Sequence, residues 1–315
     1  MSPAPAPSQA LWRALLSMQR LAREQGVASH AALDDGDTTL AMLLARDAVL
    51  HADPDGWLGG RGDAGLVNSG ALLEAVLALG DAGDEAASRA AQHQRWWLLR
   101  HAPRDDWGVL HHLRGSQEVW ADSVYMVVPA LVAAGDLAPA DMQYRMHREQ
   151  LWHEATGLFG HRFDMASRAW VRAEPSASGN GWVAAGLARA LHHGVAAQEV
   201  RLRWQRETRA LLEACTAHER PDGRFHDVLD DPATFVDGCA GLMFAYAAFT
   251  GVADGWLPAD YADRARRWTD AALARVDGSG LVREVCGAPE FDRQGTSAEA
   301  QAFAIMALAA RRRLA

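Results

Sequence analysis

Apolar and polar helical segments alternate along this chain. Six segments are rich in Ala and Gly and carry almost no charge at their centres. They are EQGVASHAAL, LVNSGALLEAVLAL, ADSVYMVVPALVAAG, GNGWVAAGLARAL, VDGCAGLMFAYAAF and GTSAEAQAFAIMALAA. More polar segments with helical spacing lie between them, such as DEAASRAAQHQRWWLLRH and AQEVRLRWQRETRALLEACTAH. This alternation predicts apolar helices packed inside a layer of amphipathic ones.

The apolar segments recur at a nearly constant distance. Their markers are Gly26, Asn68, Asp122, Gly181, Asp237 and Gly295, which gives spacings of 42, 54, 59, 56 and 58 residues. A period of about 40–60 residues built as helix, loop and helix is typical of repeat architectures. An open solenoid and a closed ring both fit such a repeat. Small residues on the inner helices permit close packing, so we predict an all-α (α/α)6 barrel of six helical hairpins.

This barrel is expected to form a single domain over residues 1–315, with residues 1–8 flexible. Its inner-helix N-termini and the loops before them would surround one cleft. The chain has 315 residues, of which 49% are hydrophobic, and this is enough to bury a large core. No low-complexity stretch divides it.

Charge and cysteine content exclude several function classes. The formal net charge is −9, and all 31 basic residues are Arg. Nucleic-acid binding is therefore not expected, and Schiff-base chemistry on a lysine is impossible. The three cysteines, Cys215, Cys239 and Cys286, have neither a disulfide pattern nor a metal-ligand spacing. The first helix is interrupted by Arg13 and Arg20, unlike a signal peptide, and no segment could span a membrane. A cytoplasmic monomer or homodimer is expected.

One acid stands at the start of an apolar segment. Asp122 lies among Trp, Tyr and Met in EVWADSVYMVVPALVAAG. An unpaired buried carboxylate is unfavourable, so Asp122 is a helix cap, a paired structural acid or a catalytic group. Partial burial would raise its pKa, whereas the helix N-terminus would favour the ionised form.

Two further features bear on the cleft. Of twelve tryptophans, five lie at loops or inner-helix starts, and they form either core or a sugar-stacking surface: Trp57, Trp107, Trp120, Trp170 and Trp182. The acidic DDGD at residues 34–37 is interpreted as a turn with an N-cap rather than a metal site. Asp237 is interpreted as the cap of the fifth inner helix.

Several strings, in order along nearly the whole chain, resemble a known enzyme group. VWADSVYMVVPAL, GLFGHRFD and GNGWVAAGLARAL are similar to segments of the unsaturated rhamnogalacturonyl and unsaturated glucuronyl hydrolases, glycoside hydrolase families 105 and 88. EQGVASHAAL and CGAPEFDRQGTSAEAQAF are similar to the first and last inner helices of these families. The resemblance implies an (α/α)6 barrel. It also implies an enzyme that removes a Δ4,5-unsaturated uronic acid from the non-reducing end of an oligosaccharide, without metal or cofactor.

The resemblance also implies roles for individual residues. Asp122 would be the general acid and base that protonates C4 of the vinyl ether and assists addition of water at C5. His161 would donate a hydrogen bond to the uronate, and Trp182 would stack on the sugar. The other substrate-binding candidates are Trp120, Met126, Asn68 and Gln25.

Two departures from the family pattern keep alternatives open. Asn68 stands where relatives often have an acid, and SASGNGW lacks the Trp and Arg that many relatives have there. Either Arg162 or Arg224 then binds the carboxylate, or the substrate differs, or the activity is reduced. The alternatives are a sugar 2-epimerase, an inverting glycosidase with two carboxylates, and a non-catalytic sugar-binding or scaffold protein.

Overall fold

The computed structural model describes residues 7–54, 57, 58 and 63–314. Within them the chain forms twelve α-helices. These are α1 Pro7–Met18, α2 Ala22–Asp35, α3 Thr38–Leu50, α4 Leu73–Asp81, α5 Glu85–Trp96, α6 Ser123–Ala133, α7 Leu137–Leu151, α8 Ala177–His192, α9 Gln198–Thr216, α10 Gly238–Ala253, α11 Asp260–Leu273 and α12 Ala298–Arg312. A 3₁₀ turn, Asn68–Leu72, leads into α4, and a π-helical turn, Trp97–His101, extends α5. Residues 7 and 8 begin α1, and residues 1–6 lie outside the described part, so the flexible start over residues 1–8 stays a prediction.

The helices form two concentric rings. Helices α2, α4 with its 3₁₀ turn, α6, α8, α10 and α12 each pack on the next, and α12 packs back on α2. Outside them, α3, α5, α7, α9 and α11 each pack on the inner helix that precedes them. Helix α1 packs on α12 and supplies the sixth outer position. The described residues therefore confirm the predicted (α/α)6 barrel.

Glycines allow the inner helices to approach closely. A β-carbon at Gly26 would lie 2.5 Å from the Cβ of Ala71, and one at Gly186 would lie 2.8 Å from the Cα of Tyr125. These distances are too short for any larger residue without displacement of the neighbouring helix. The small residues of the apolar segments thus set the spacing of the inner ring.

Short strands lie in the connections that lead from an outer helix to the next inner helix. They are β1 Glu118–Trp120, β2 Trp152–His153, β3 Leu158–Phe159, β4 Arg162–Asp164, β5 Ala169–Arg172, β6 Phe225–His226, β7 Val236–Asp237, β8 Val285–Cys286 and β9 Gln294–Gly295. Strands β1, β4 and β5 form a three-stranded antiparallel sheet, and the other six form three two-stranded hairpins. All nine therefore gather at the N-terminal ends of the inner helices.

A buried ionic network joins four inner helices. Arg189 of α8, which is 1% exposed, forms two hydrogen bonds to the carboxylate of Glu74, at 2.7 and 2.8 Å. Its Nη1 also donates to Asp34 of α2 at 3.1 Å and to the hydroxyl of Tyr246 of α10 at 3.0 Å. A buried guanidinium requires such partners, and this one has two carboxylates and a hydroxyl.

The predicted caps are confirmed. Gly36 ends α2 with a φ of 84°, and Asp37 accepts a hydrogen bond from the backbone of Leu40 at 2.9 Å. Asp237 accepts a hydrogen bond from the backbone of Cys239 at the start of α10, also at 2.9 Å. In DDGD, Asp34 and Asp35 are the last residues of α2, and Gly36 and Asp37 form the interpreted turn and N-cap. Among the described helices, none combines the length and apolarity that crossing a bilayer requires.

Candidate active site

A cavity of about 420 Å³ opens at the N-terminal ends of the inner helices. Charged and aromatic side chains from many parts of the ring line it, among them Arg23, Asp63, Asp122, His161, Arg172 and Trp182. Residues of the short strands, such as Trp120, Arg162 and Arg172, form part of its wall. The predicted position of the cleft is thereby confirmed.

The three-stranded sheet fixes three of these side chains relative to one another. Trp120 of β1 pairs with Arg162 of β4. Beyond that pair, the backbone N–H of Ala121 donates to the carbonyl of His161 at 3.0 Å, and the N–H of His161 donates to the carbonyl of Arg172 at 3.1 Å. These backbone hydrogen bonds join three neighbouring segments of the chain. They bring Asp122, His161 and Arg172 close together at the wall of the cavity.

Asp122 is 7% exposed and hydrogen-bonded to a histidine. Its Oδ2 lies 3.0 Å from Nε2 of His161. The residue directly precedes α6, but its side chain makes no capping hydrogen bond to that helix. Among the alternatives for Asp122, a helix cap is therefore excluded.

Burial and the helix N-terminus were expected to act in opposite directions on the pKa of Asp122, and this pKa is lowered. Burial works to raise it, but attraction to His161 and the hydrogen bond from that ring, together with His112 and Arg23, hold the pKa of Asp122 below its ordinary value. The contact with His161 thus favours the ionised form of Asp122.

His161 has a second polar partner. Its Nδ1 lies 3.3 Å from Nη1 of Arg172, and Nη2 of Arg172 donates to the carboxylate of Asp227 at 2.7 Å. Four side chains thus form a continuous chain, Asp122, His161, Arg172 and Asp227. His161 lies in the cavity as predicted, but its hydrogen-bond partners in the protein are Asp122 and Arg172.

Trp120 is packed within the protein. The ring of His112 stacks on it with centroids 4.3 Å apart, and the guanidinium of Arg162 lies 4.3 Å from its ring centroid. Its indole N–H donates to Glu118, which also binds Arg162 at 2.7 Å. Burial lowers the pKa of His112 to about 3, so this ring is neutral near pH 7. Trp120 lines the cavity, but these contacts limit the ring area that a sugar could reach.

Another acid that lines the cavity is Asp63, which the sequence analysis missed. Asp63 is 7% exposed, and its Oδ1 accepts hydrogen bonds from the N–H of Gly65 at 2.8 Å and from Nδ2 of Asn68 at 3.1 Å. Asn68 stands where relatives often have an acid. In the structure it forms a hydrogen bond with the carboxylate of Asp63. In the sequence, Asp63 could have been found only from its position as the last residue of the linker DPDGWLGGRGD, just before the second inner segment.

A partly buried arginine on the first inner helix, Arg23, was also missed. Nε of Arg23 donates to Glu299 of α12, and its guanidinium lies 5.2 Å from the ring centroid of Phe291. Electrostatic contributions from Glu299, Glu24 and Asp63 outweigh burial and raise the pKa of Arg23. The only signal in the sequence was an Arg in the first turn of an apolar helix.

Several predicted residues lie elsewhere. Met126 is fully buried away from the cavity, its carbonyl lying against Gly70 on the second inner unit. Gln25 also does not line the cavity, because Nε2 donates to Asp47 of α3 at 2.6 Å. Arg224 binds Asp222 and Glu284 and does not line the cavity either, unlike Arg162. We therefore exclude Met126, Gln25 and Arg224 from the site.

The five tryptophans do not form one surface. Trp120 and Trp182 line the cavity, while Trp57 is buried in the core. Trp107 lies under the guanidinium of Arg168, and Trp170 stacks on His153, both partly exposed to solvent. Trp182 is 6% exposed and packs edge-on against Tyr125, so one part of its ring belongs to the core. The predicted shared stacking surface is wrong.

Comparison with known proteins identifies the family. The model of glycosyl hydrolase family 88 matches residues 68–313, and the chain therefore belongs to this family. A curated relative is the unsaturated rhamnogalacturonyl hydrolase YesR of Bacillus subtilis (strain 168), 24% identical over 216 residues. The match covers 64% of this chain and 61% of that relative, so the chain spans less than two thirds of the relative's length.

Solved structures share the fold. A possible member of family GH105 from Klebsiella pneumoniae subsp. pneumoniae has a TM-score of 0.81 at 20% identity, with 98% of this chain and 94% of that chain covered. An unsaturated glucuronyl hydrolase from Bacillus sp. GL1 has a TM-score of 0.67 at 15% identity, with 90% and 84% covered. At these identities the similarity establishes the barrel.

Proposed function

We propose that this chain is an unsaturated uronyl hydrolase that removes a Δ4,5-unsaturated uronic acid from the non-reducing end of an oligosaccharide. The observation that carries the proposal is the buried carboxylate of Asp122, held by His161 in the cavity and not used as a cap. Membership of glycosyl hydrolase family 88 supports the same reaction class. The names of the relatives support an unsaturated glucuronyl or rhamnogalacturonyl substrate.

Asp122 carries both proton transfers in this proposal. Its carboxylic acid gives a proton to C4 while the C4–C5 double bond breaks, and the positive charge at C5 is shared with the ring oxygen. Water then attacks C5 and gives its proton to the Asp122 carboxylate. The resulting hemiketal opens to a ketone at C5, and the neighbouring sugar is released from C1. The same carboxyl group is thus acid first and base second.

Substrate binding would raise the pKa of Asp122, so that its carboxylate takes up a proton from solvent before the reaction. The pKa of Asp122 otherwise lies below its ordinary value. A bound uronate brings a negative charge and displaces water from the cavity, and both effects raise the pKa of a neighbouring carboxyl group. Arg23, Arg162 and Arg172 line the cavity and are the cations available to the uronate carboxylate. Asp63 is assigned the role of hydrogen-bond acceptor for a sugar hydroxyl.

A second candidate function follows from Asp63. An inverting glycosidase uses two carboxylates, one as acid and one as base toward a water molecule. Asp63 and Asp122 line the same cavity, so saturated glycosides are a rival substrate class. An inverting glycosidase would not require a C4–C5 double bond in its substrate.

One assay separates these functions. The protein is incubated with Δ4,5-unsaturated disaccharides and, in parallel, with their saturated counterparts. We expect loss of the ultraviolet absorbance of the conjugated alkene and release of the neighbouring sugar only from the unsaturated compounds. Cleavage of the saturated compounds would favour the inverting glycosidase. Binding of either set without turnover would favour a sugar-binding protein.

A further inference from the structure

Three arginines line the cavity, and they differ in how far each guanidinium is already hydrogen-bonded. Arg162 donates from both Nε and Nη2 to one oxygen of Glu118, at 2.9 and 2.7 Å. Arg172 donates from Nη2 to Asp227 at 2.7 Å, and its Nη1 lies 3.3 Å from Nδ1 of His161. Each of these two arginines therefore has at least one terminal nitrogen engaged by another side chain of the protein.

The third arginine, Arg23, is anchored but keeps both terminal nitrogens available. Its Nε donates to Glu299 of α12, and the ring of Phe291 lies against its guanidinium, 5.2 Å from centroid to Cζ. Neither Nη1 nor Nη2 forms a hydrogen bond with any of the described residues; Nη2 lies 3.9 Å from the carboxylate of Glu24, which is too long for one. Because a guanidinium is planar, the bond at Nε also orients the two terminal nitrogens.

The acids around Arg23 have hydrogen-bond donors of their own. Glu24 accepts hydrogen bonds from the two backbone N–H groups directly before α2, at 2.7 and 3.0 Å. Asp63 accepts from the backbone of Gly65 and from the amide of Asn68. These carboxylates keep Arg23 charged but leave its terminal N–H groups without an acceptor.

From this geometry we propose that Arg23 binds the carboxylate of the uronic acid, through one hydrogen bond from each of its two terminal nitrogens. The uronate itself is taken from the proposed function, on which this inference rests. A guanidinium and a carboxylate match in a planar, bidentate pair that a hydroxymethyl group cannot form. Arg23 is thus the residue that selects a uronic acid over a neutral sugar.

This assignment is consistent with the role of Asp122. The uronate carboxylate is attached to C5, next to the C4 atom that Asp122 protonates, and both Arg23 and Asp122 line the cavity. The positive charge of Arg23 contributes to the lowered pKa of Asp122. A carboxylate bound to Arg23 offsets that charge, so the pKa of Asp122 rises when a uronate binds.

A pair of substrates tests the inference. One is a Δ4,5-unsaturated uronyl disaccharide, and the other is its methyl ester, which has the same ring but no carboxylate charge. In Arg23→Lys we expect kcat/KM to fall roughly 10–100-fold for the acid and to change little for the ester, because Lys is a cation without the paired donors. Arg23→Gln should act in the same way. Arg23→Lys keeps a cation beside Glu299, so the test holds even where Arg23→Gln fails to fold.

Arg162→Lys and Arg172→Lys are the matched comparisons. Both should keep the wild-type preference for the acid over the ester, whatever they do to the rate. A preference that is lost in either of them but retained in Arg23→Lys would overturn the assignment. An equal loss on acid and ester in Arg23→Lys would also overturn it, since that is the result of a purely structural role.

Calorimetric titration with D-glucuronate separates this inference from the proposed function. If no unsaturated disaccharide is turned over, but wild type binds glucuronate and Arg23→Lys binds it roughly 10–100-fold more weakly, the proposed function fails and the role of Arg23 stands. If unsaturated disaccharides are turned over with the same preference for the acid in wild type and Arg23→Lys, the function stands and the role of Arg23 fails. A wild-type protein that neither turns over nor binds a uronate contradicts both.

Discussion

The imidazole Nε2 of His161 lies 3.0 Å from Oδ2 of Asp122, although 39 residues separate them in the chain. The contact exists because β1 and β4 pair in antiparallel register and bring the start of α6 beside the residue before β4. The sequence analysis gave Asp122 and His161 separate roles, but in the structure the two side chains are hydrogen-bonded to each other. Any account of the activity of this protein has to explain both together.

The close packing of the inner ring predicts a strong response at Gly186. In Gly186→Ala the new β-carbon would lie 2.8 Å from the Cα of Tyr125, which is backbone and cannot move aside cheaply. We expect a loss of roughly 1–3 kcal/mol in the free energy of unfolding, measured by urea denaturation. Gly278→Ala is the matched control, because no atom lies within 4 Å of its added β-carbon. Equal stability of the two variants would contradict the packing argument.

The buried network around Arg189 predicts a large difference from surface ion pairs. Arg189→Met leaves the part-buried carboxylates of Glu74 and Asp34 without this cation, and removing one partner of a buried ion pair costs roughly 3–5 kcal/mol. The matched control is Arg209→Ala, which removes an exposed ion pair to Glu213 and should cost no more than about 1 kcal/mol. Thermal and urea unfolding of both variants measure the difference. A loss at Arg189 as small as at Arg209 would show that the network contributes little.

Buried His147 predicts a loss of stability in acid. It is 1% exposed, and burial lowers its pKa to about 4, against about 6.5 in the unfolded chain. The unfolded state therefore binds a proton first as the pH falls, and stability is lost between about pH 6.5 and 4. From pH 7.5 to 5 this residue accounts for about 2 kcal/mol.

His147→Gln removes that proton uptake. The variant should lose less stability than the wild type between pH 7.5 and 5, whatever the substitution costs at pH 7.5. His112, whose pKa burial lowers to about 3, acts in the same direction and leaves part of the acid sensitivity in place. Parallel pH dependence of the two proteins in urea unfolding would contradict the prediction.

Asp63 predicts a binding effect in the proposed reaction. Asp63→Asn removes the charge but keeps the shape beside Gly65 and Asn68. A hydrogen bond to a charged group is worth about 1.5–3 kcal/mol, so kcat/KM toward an unsaturated disaccharide should fall roughly 10–100-fold. Asp260→Asn removes an exposed charge on α11 and serves as the control with unchanged kinetics. Unchanged kcat/KM in Asp63→Asn would exclude it from substrate recognition.

The architecture was predictable because it follows from periodicity. Apolar segments with small residues recur every 40–60 residues. This spacing predicts a ring of helical hairpins even when the loop conformations are unknown. Helix caps such as Asp37 and Asp237 were predictable for the same reason, since a cap depends on the next few residues only.

The site was predictable only in part, because its geometry depends on contacts between distant segments. Asp122 and His161 were found through family motifs, but their contact depends on strand register, which the short strands did not reveal. Met126 was expected to bind substrate, but it is fully buried with its carbonyl against Gly70 of the second inner unit, and a motif does not show which of its residues reach the cavity. Arg172 comes from a short edge strand whose pairing partner could not be read from the sequence. A linker residue such as Asp63 carries no periodic signal at all.

The role of Asp122 is tested most directly by Asp122→Asn, measured for turnover and melting temperature in the same preparation. Asn keeps the size of the side chain but cannot deliver a proton to C4, and general acid–base catalysis is typically worth about 10²–10⁴ in rate. We predict a folded protein that still binds unsaturated disaccharide, with kcat lowered by at least that factor and a melting temperature close to that of the wild type. An Asp122→Asn protein that melts at a lower temperature and turns over at the wild-type rate would contradict the account.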